Sequence, residues 1–102
     1  MTHAVMVMMT DVPNELEAQY NHWYNEIHLP EVLRVPGVLS GRRFRIHGEG
    51  VRYMALYELE SPDVVTSPLY VSWRANSAST QAWSERFSVF QRLVYEQIYP
   101  TA

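Results

Sequence analysis

The sequence predicts an α+β fold in the order β-α-β-β-α-β, with an antiparallel sheet and both helices on one of its faces. Three observations carry that prediction. Strand-like runs stand at the start, middle and end of the chain, a helical repeat separates the first from the second, and a glycine-rich turn joins the middle pair. The chain has 102 residues, of which 47% are hydrophobic. That suits one domain over residues 1–102, with a core that needs neither metal nor disulfide to fold.

The elements follow in order. "HAVMVMM" (residues 3–9) is a short apolar run ended by Thr10, Asp11 and Pro13, and reads as a buried strand. Asn14 is placed to cap the next helix, with Glu15 and Glu17 in its first turn, where the helix dipole favours negative charge. Leu16, Tyr20, Trp23 and Ile27 recur at helical spacing and define one apolar face. Pro30 disfavours helical geometry at Leu29, so the helix is expected to break there, with a further turn closed by Pro36-Gly37. Val38, Ser40, Arg42, Phe44 and Ile46 alternate with Leu39, Gly41, Arg43, Arg45 and His47, and "VRYMALYELE" alternates again after Gly48-Glu49-Gly50, which makes a hairpin. Ser61-Pro62-Asp63 opens a helical stretch, broken near Ser67-Pro68 and resumed through "LYVSWRAN", with more helix in "TQAWSERF". "SVFQRLVYEQIY", rich in β-branched and aromatic residues, is the last strand. An unpartnered second sheet face needs a cover, and the commonest cover is a second copy, so a homodimer is expected.

Composition excludes several function classes. Net charge is −3 and all eight basic residues are arginine with no basic run, which argues against a nucleic-acid surface. Without cysteine there are no disulfides, thiolate metal sites or cysteine nucleophiles, and a reducing cytoplasm fits. The six-residue run "AVMVMM" lacks the flanks of a signal peptide, and nothing approaches the ~20 apolar residues of a membrane span. No GxGxxG, GxxxxGK[ST] or GxSxG occurs, so neither a nucleotide cofactor nor a nucleophile elbow has support. His22 and Glu26 stand four apart, but no further ligand completes a metal site. Neither cofactor nor metal is therefore expected. Seven Tyr, three Trp and three Phe exceed what a core requires and suit a pocket for a flat organic ligand.

His28 is the leading candidate for chemistry. Tyr20, Tyr24 and His28 form a ladder at i, i+4 and i+8 beside the apolar helix face, which sets His28 at the helix end on the border of the core. An imidazole half-shielded by aromatics can carry a proton to or from an enol, hydroxyl or lactone, and Tyr24 can orient it or the substrate. The competing role is structural, since a histidine in a last helical turn satisfies free carbonyls and the dipole. Glu26 and Glu31 flank His28, and either could orient it. Arg42 interrupts an apolar stripe and could hold a carboxylate or phenolate, or pair with Glu58 or Glu60; Arg43, on the other face, has the same options. Tyr53 and Tyr57 share a face of the third strand and, with Trp83, are core residues that can also line a pocket.

The block W-Y-x-E-x-H-x-P-E at residues 23–31, the Pro-Gly turn and the Arg-Arg-Phe after it resemble the EthD-like family of the dimeric α+β barrel superfamily, whose sheet is ferredoxin-like. The resemblance implies two sheets packed face to face in a dimer, a pocket between sheet and helices, and a functional histidine at His28. It also implies a small-molecule enzyme of aromatic or polyketide-type metabolism. The expected reaction is a cofactor-free lyase, dehydratase or isomerase step at His28, with Tyr24, Arg42, Tyr53, Tyr57 and Trp83 around the substrate. The alternatives are a cofactor-free monooxygenase and a non-catalytic binding protein.

Overall fold

The computed structural model describes residues 3–100. Strands β1 (Ala4–Asp11), β2 (Val38–Arg45), β3 (Tyr53–Leu59) and β4 (Val89–Glu96) form one antiparallel sheet in the spatial order β2-β3-β1-β4. This is the ferredoxin-like arrangement that the order of elements predicted, with the helices on one face. Ala4, Met6, Met8 and Thr10 of β1 and Tyr53, Ala55, Tyr57 and Leu59 of β3 are buried on the helix side. Val5, Val7 and Met9 of β1, only partly covered, face the other way.

The first helical passage departs from expectation in two places. Asn14 does not cap it; Asn14 lies inside a 3-10 turn (Asn14–Leu16) that starts after Pro13 without a side-chain cap. Nor does Pro30 break it. Helix α1 (Glu17–Trp23) runs into a five-residue π turn (Tyr24–His28) and on into α2 (Leu29–Val32), with Leu29 at φ −60° and ψ −44°. The Leu29 N–H bonds the Tyr24 carbonyl, an i to i−5 step. Proline clashes with the carbonyl four residues back, and the wider turn eases that clash where an α-helix would not.

The π turn also changes which side chain points inward. Each residue of an α-helix advances about 100°, so Ile27 would join the Tyr20 face and His28 would drift off it. A wider turn advances less per residue and cancels that drift. Ile27 is accordingly 43% exposed, and His28 only 5%.

In β2 a bulge between Val38 and Ser40 leaves Leu39 as the extra residue. The expected stripe of Val38, Ser40, Arg42, Phe44 and Ile46 is thereby split. Val38 is buried on the helix side, while Arg42 and Phe44 oppose Leu56 and Met54 on the open face. Gly41, Arg43 and Arg45 oppose Tyr57, Ala55 and Tyr53, and so turn toward the helices. Gly41 is required there, because a Cβ would meet the Tyr57 ring at 2.9 Å.

The second half follows its serines. Ser61, Ser67 and Ser77 accept hydrogen bonds from the amides of Asp63, Tyr70 and Thr80, and so start a 3-10 turn (Pro62–Thr66), α3 (Pro68–Asn76) and α4 (Ala78–Ser84). Among the described residues no helix is long and apolar enough to cross a membrane.

Candidate functional site

The layer between helices and sheet is aromatic. Tyr20, Trp23 and Tyr24 from the helical passage meet Tyr53 and Tyr57 from β3 and Trp83 from α4, all of them buried. The Tyr24 hydroxyl lies 2.8 Å from that of Tyr57, and Trp23 stacks on Trp83 at 5.6 Å between centroids. Burial raises the Tyr57 hydroxyl well above its ordinary value and, together with Tyr57, does the same to Tyr24. Both stay protonated at any ordinary pH.

His28 sits at one end of this layer. It stacks on Trp23 at 4.5 Å, receives the edge of Tyr24 at 4.8 Å, and has Trp73 of α3 tilted across it at 5.7 Å. Burial, followed by the positive charges of Arg74 and Arg43, lowers its pKa from 6.5 to about 4. It is therefore neutral at pH 7.

A polar chain leads from His28 to the surface. His28 Nδ1 lies 3.2 Å from the Thr80 hydroxyl, which lies 2.8 Å from that of Ser77. The Ser77 hydroxyl donates to Glu31 Oε2 at 3.4 Å, and Trp73 Nε1 donates to the same oxygen at 3.0 Å. Glu31 and Trp73, with Arg34, Val35, Pro36 and Leu69, line an open cleft of about 420 Å³. Of the two acids flanking His28, Glu31 is thus linked to it, through two hydroxyls, while Glu26 is exposed.

The structure gathers His28, Tyr24, Tyr53, Tyr57 and Trp83 into one layer and leaves Arg42 out. Arg42 lies on the open sheet face with its guanidinium over the Phe44 ring at 5.6 Å, and among the described residues it pairs with neither Glu58 nor Glu60. The arginine that enters the layer is Arg43, with its guanidinium 4.4 Å from the Tyr24 ring centroid, 5.3 Å from Tyr53 and 5.4 Å from Tyr20. The bulge exchanges the two, and strict alternation counted from Val38 conceals it. The Tyr24 hydroxyl, expected to orient His28, is instead occupied by Tyr57. Trp23, Trp73, Ser77 and Thr80 were not singled out as site residues by the sequence, because the contacts that matter join α3 and α4 to the π turn. Among the described residues no three His, Asp or Glu side chains come together as a metal site.

The family model that matches residues 4–97 is described as a domain of unknown function, DUF4286. No curated protein matches the chain. Solved structures share the fold at low identity. A candidate monooxygenase from Shewanella loihica is 21% identical with a TM-score of 0.67, covering 99% of each chain. The heme-degrader MhuD from Mycobacterium tuberculosis is 17% identical at TM-score 0.62, over 97% of this chain and 99% of that one. An EthD family protein from Bacillus halodurans is 14% identical at TM-score 0.59, over 96% and 100%. The resemblance to the EthD-like proteins therefore holds at the level of the fold. With nearly its whole length matched, the chain belongs to the DUF4286 family, and it has the ferredoxin-like α+β fold of these structures.

Proposed function

We propose that this protein is a cofactor-free monooxygenase of flat, electron-rich hydroxylated aromatics, with His28 as its acid–base group. The observation that carries the reading is His28 itself: a neutral imidazole enclosed by Trp23, Tyr24 and Trp73 and joined through Thr80 and Ser77 to a carboxylate in an open cleft. Trp73 is half-buried, tilted across His28 and part of the cleft lining, which makes it the side chain that would have to move for substrate to reach the imidazole.

The chemistry balances without an added reductant. His28 takes a proton from an activated CH₂ beside a phenol-conjugated carbonyl. The resulting carbanion transfers electrons to O₂ and combines with it as a hydroperoxide, and loss of water leaves a new carbonyl. One oxygen atom enters the product and the other leaves as water with the two hydrogens of the CH₂ group. The aromatic walls exclude bulk water from the carbanion.

Fold neighbours described as candidate monooxygenases favour this reading over the lyase, dehydratase or isomerase step, which needs the same first proton transfer. One neighbour is a heme-degrader; here Tyr20, Trp23, Tyr24 and Trp83 are all buried and pack the space beside His28, which favours a smaller substrate. The test is oxygen consumption and product mass for wild type and His28→Gln against a panel of hydroxylated aromatics and enol lactones. Oxygen uptake by wild type, with a mass gain of one oxygen less two hydrogens, supports the proposal. Turnover without oxygen uptake would make the protein a lyase or isomerase, and saturable binding without product a carrier.

The same reading makes the molecule a homodimer. Val5, Val7, Met9, Met54, Leu56 and Leu93 form a half-covered apolar patch on the open sheet face, flanked by exposed Phe44, Val89 and Tyr95. Such a face is covered most simply by its own copy.

A further inference from the structure

A second cleft, of about 380 Å³, opens where the first helical passage meets the edge strand β2, and Asn21, Asn25, Arg43, Phe44, Arg45 and Tyr53 line it. No acid is among them. The polar groups are nearly all donors. Arg43 Nη1 donates to the Asn25 side-chain oxygen at 2.8 Å, which leaves the Asn25 amide N–H₂ free to donate. The Tyr53 hydroxyl accepts from Asn21 Nδ2 at 3.1 Å and from Arg45 Nη2 at 3.3 Å, so its own hydrogen is also available.

The charge here is incompletely compensated. Among the described residues Arg43 has no carboxylate partner, and its Nη2 is buried without an acceptor. Three tyrosine rings hold the guanidinium by cation–π contact, which offsets only part of the cost of drawing a charge out of water. Arg45 reaches Glu17 only at 3.6 Å with its side chain 65% exposed, and Glu17 is already engaged by Arg52. An exposed contact of that length competes poorly with an incoming anion.

We propose that this cleft binds a small aromatic carboxylate, its anionic group held by Arg43, Arg45 and the Tyr53 hydroxyl and its ring lying against the exposed Phe44 at the edge of β2. Two guanidiniums and a phenol suit a carboxylate, which accepts paired N–H donors in one plane. The volume lies in the range of small-ligand sites. The lining of this cleft does not include His28: Arg43 lies 4.4 Å from the centre of the Tyr24 ring, and His28 4.8 Å from the same ring. The proposal does not depend on the oxygenase reading.

The test is titration of the ¹⁵N-labelled full chain with 2-naphthoate, followed by amide and side-chain NMR shifts, with 2-naphthamide, acetate and inorganic phosphate as comparisons. Saturable shifts confined to Asn21, Asn25, Phe44, Arg45 and Tyr53 are expected from 2-naphthoate. Removing the charge, either as 2-naphthamide or as Arg45→Gln in the exposed arginine, should weaken binding by roughly tenfold or more. Arg43→Gln is the stronger test if it folds, and Arg45→Gln with the uncharged ligand decides the matter if it does not. Acetate or phosphate binding as tightly as 2-naphthoate would overturn the aromatic part of the proposal. Equal affinity for the amide, or no saturable shift at millimolar naphthoate, would overturn all of it.

Discussion

His28 is held neutral because burial strips water from its charged form and the cations Arg74 and Arg43 oppose it further. The sign of the resulting pH dependence follows. Between its folded value of about 4 and its ordinary 6.5, the unfolded chain binds a proton that the folded chain refuses, so stability falls as pH drops through that window. The loss is of the order of 3 kcal/mol and levels off below the folded value. Urea unfolding at pH 7 and pH 4 should show it in wild type, and His28→Gln, which cannot titrate, should lose most of the difference. Thr80→Val probes the polar chain separately. It keeps the shape of the side chain but leaves the buried His28 Nδ1 without its partner, and should cost about 1–3 kcal/mol in urea unfolding.

At the scale of the element, β2 matters as much as the helix. Its bulge turns Arg43 toward the tyrosines, and Gly41 beside it lets Tyr57 lie flat under the strand. Gly41→Ala sets a methyl group 2.9 Å from Tyr57 Cδ1, and that ring, 1% exposed and bonded to Tyr24, has little room to yield. A loss of about 1–3 kcal/mol is expected in thermal unfolding, as for other overpacked cores. An unchanged midpoint would mean that the strand shifts freely. The π turn has the matching part on the helix, since the one wide turn brings His28 inward and Ile27 out.

For the whole molecule, the two faces of the sheet divide the labour. One is covered by the helices over β1 and β3 and holds the aromatic layer. The other is apolar and open, and β4, at the sheet edge, is exposed along almost its whole length. Leu56 lies at the middle of the open face, opposite Val7 and Arg42. Sedimentation velocity should find wild type dimeric and Leu56→Glu monomeric with an unchanged far-ultraviolet spectrum. A wild-type monomer at high micromolar concentration would remove the dimer from the account. Much of this plan was legible in advance, because period-2 and period-3.6 patterns, serine caps and a glycine turn are local signals. Tyr24 with His28, and Tyr53 with Tyr57, were legible as neighbours on one face of their own elements for the same reason, but no local signal joins those pairs to each other or to Trp83.

What the sequence determined by itself was the order of elements, the sheet and its two faces, and the candidacy of His28. Those follow from patterns written over a few adjacent residues. What only the tertiary structure decided was which arginine enters the layer, which way His28 points, and how it connects to the surface. A bulge or a π turn inserts a single residue into a register, and every side chain beyond it changes direction. No local pattern announces that insertion, because its energy is set by what packs across it: Tyr57 over Gly41, and Trp23, Trp73 and Thr80 around His28.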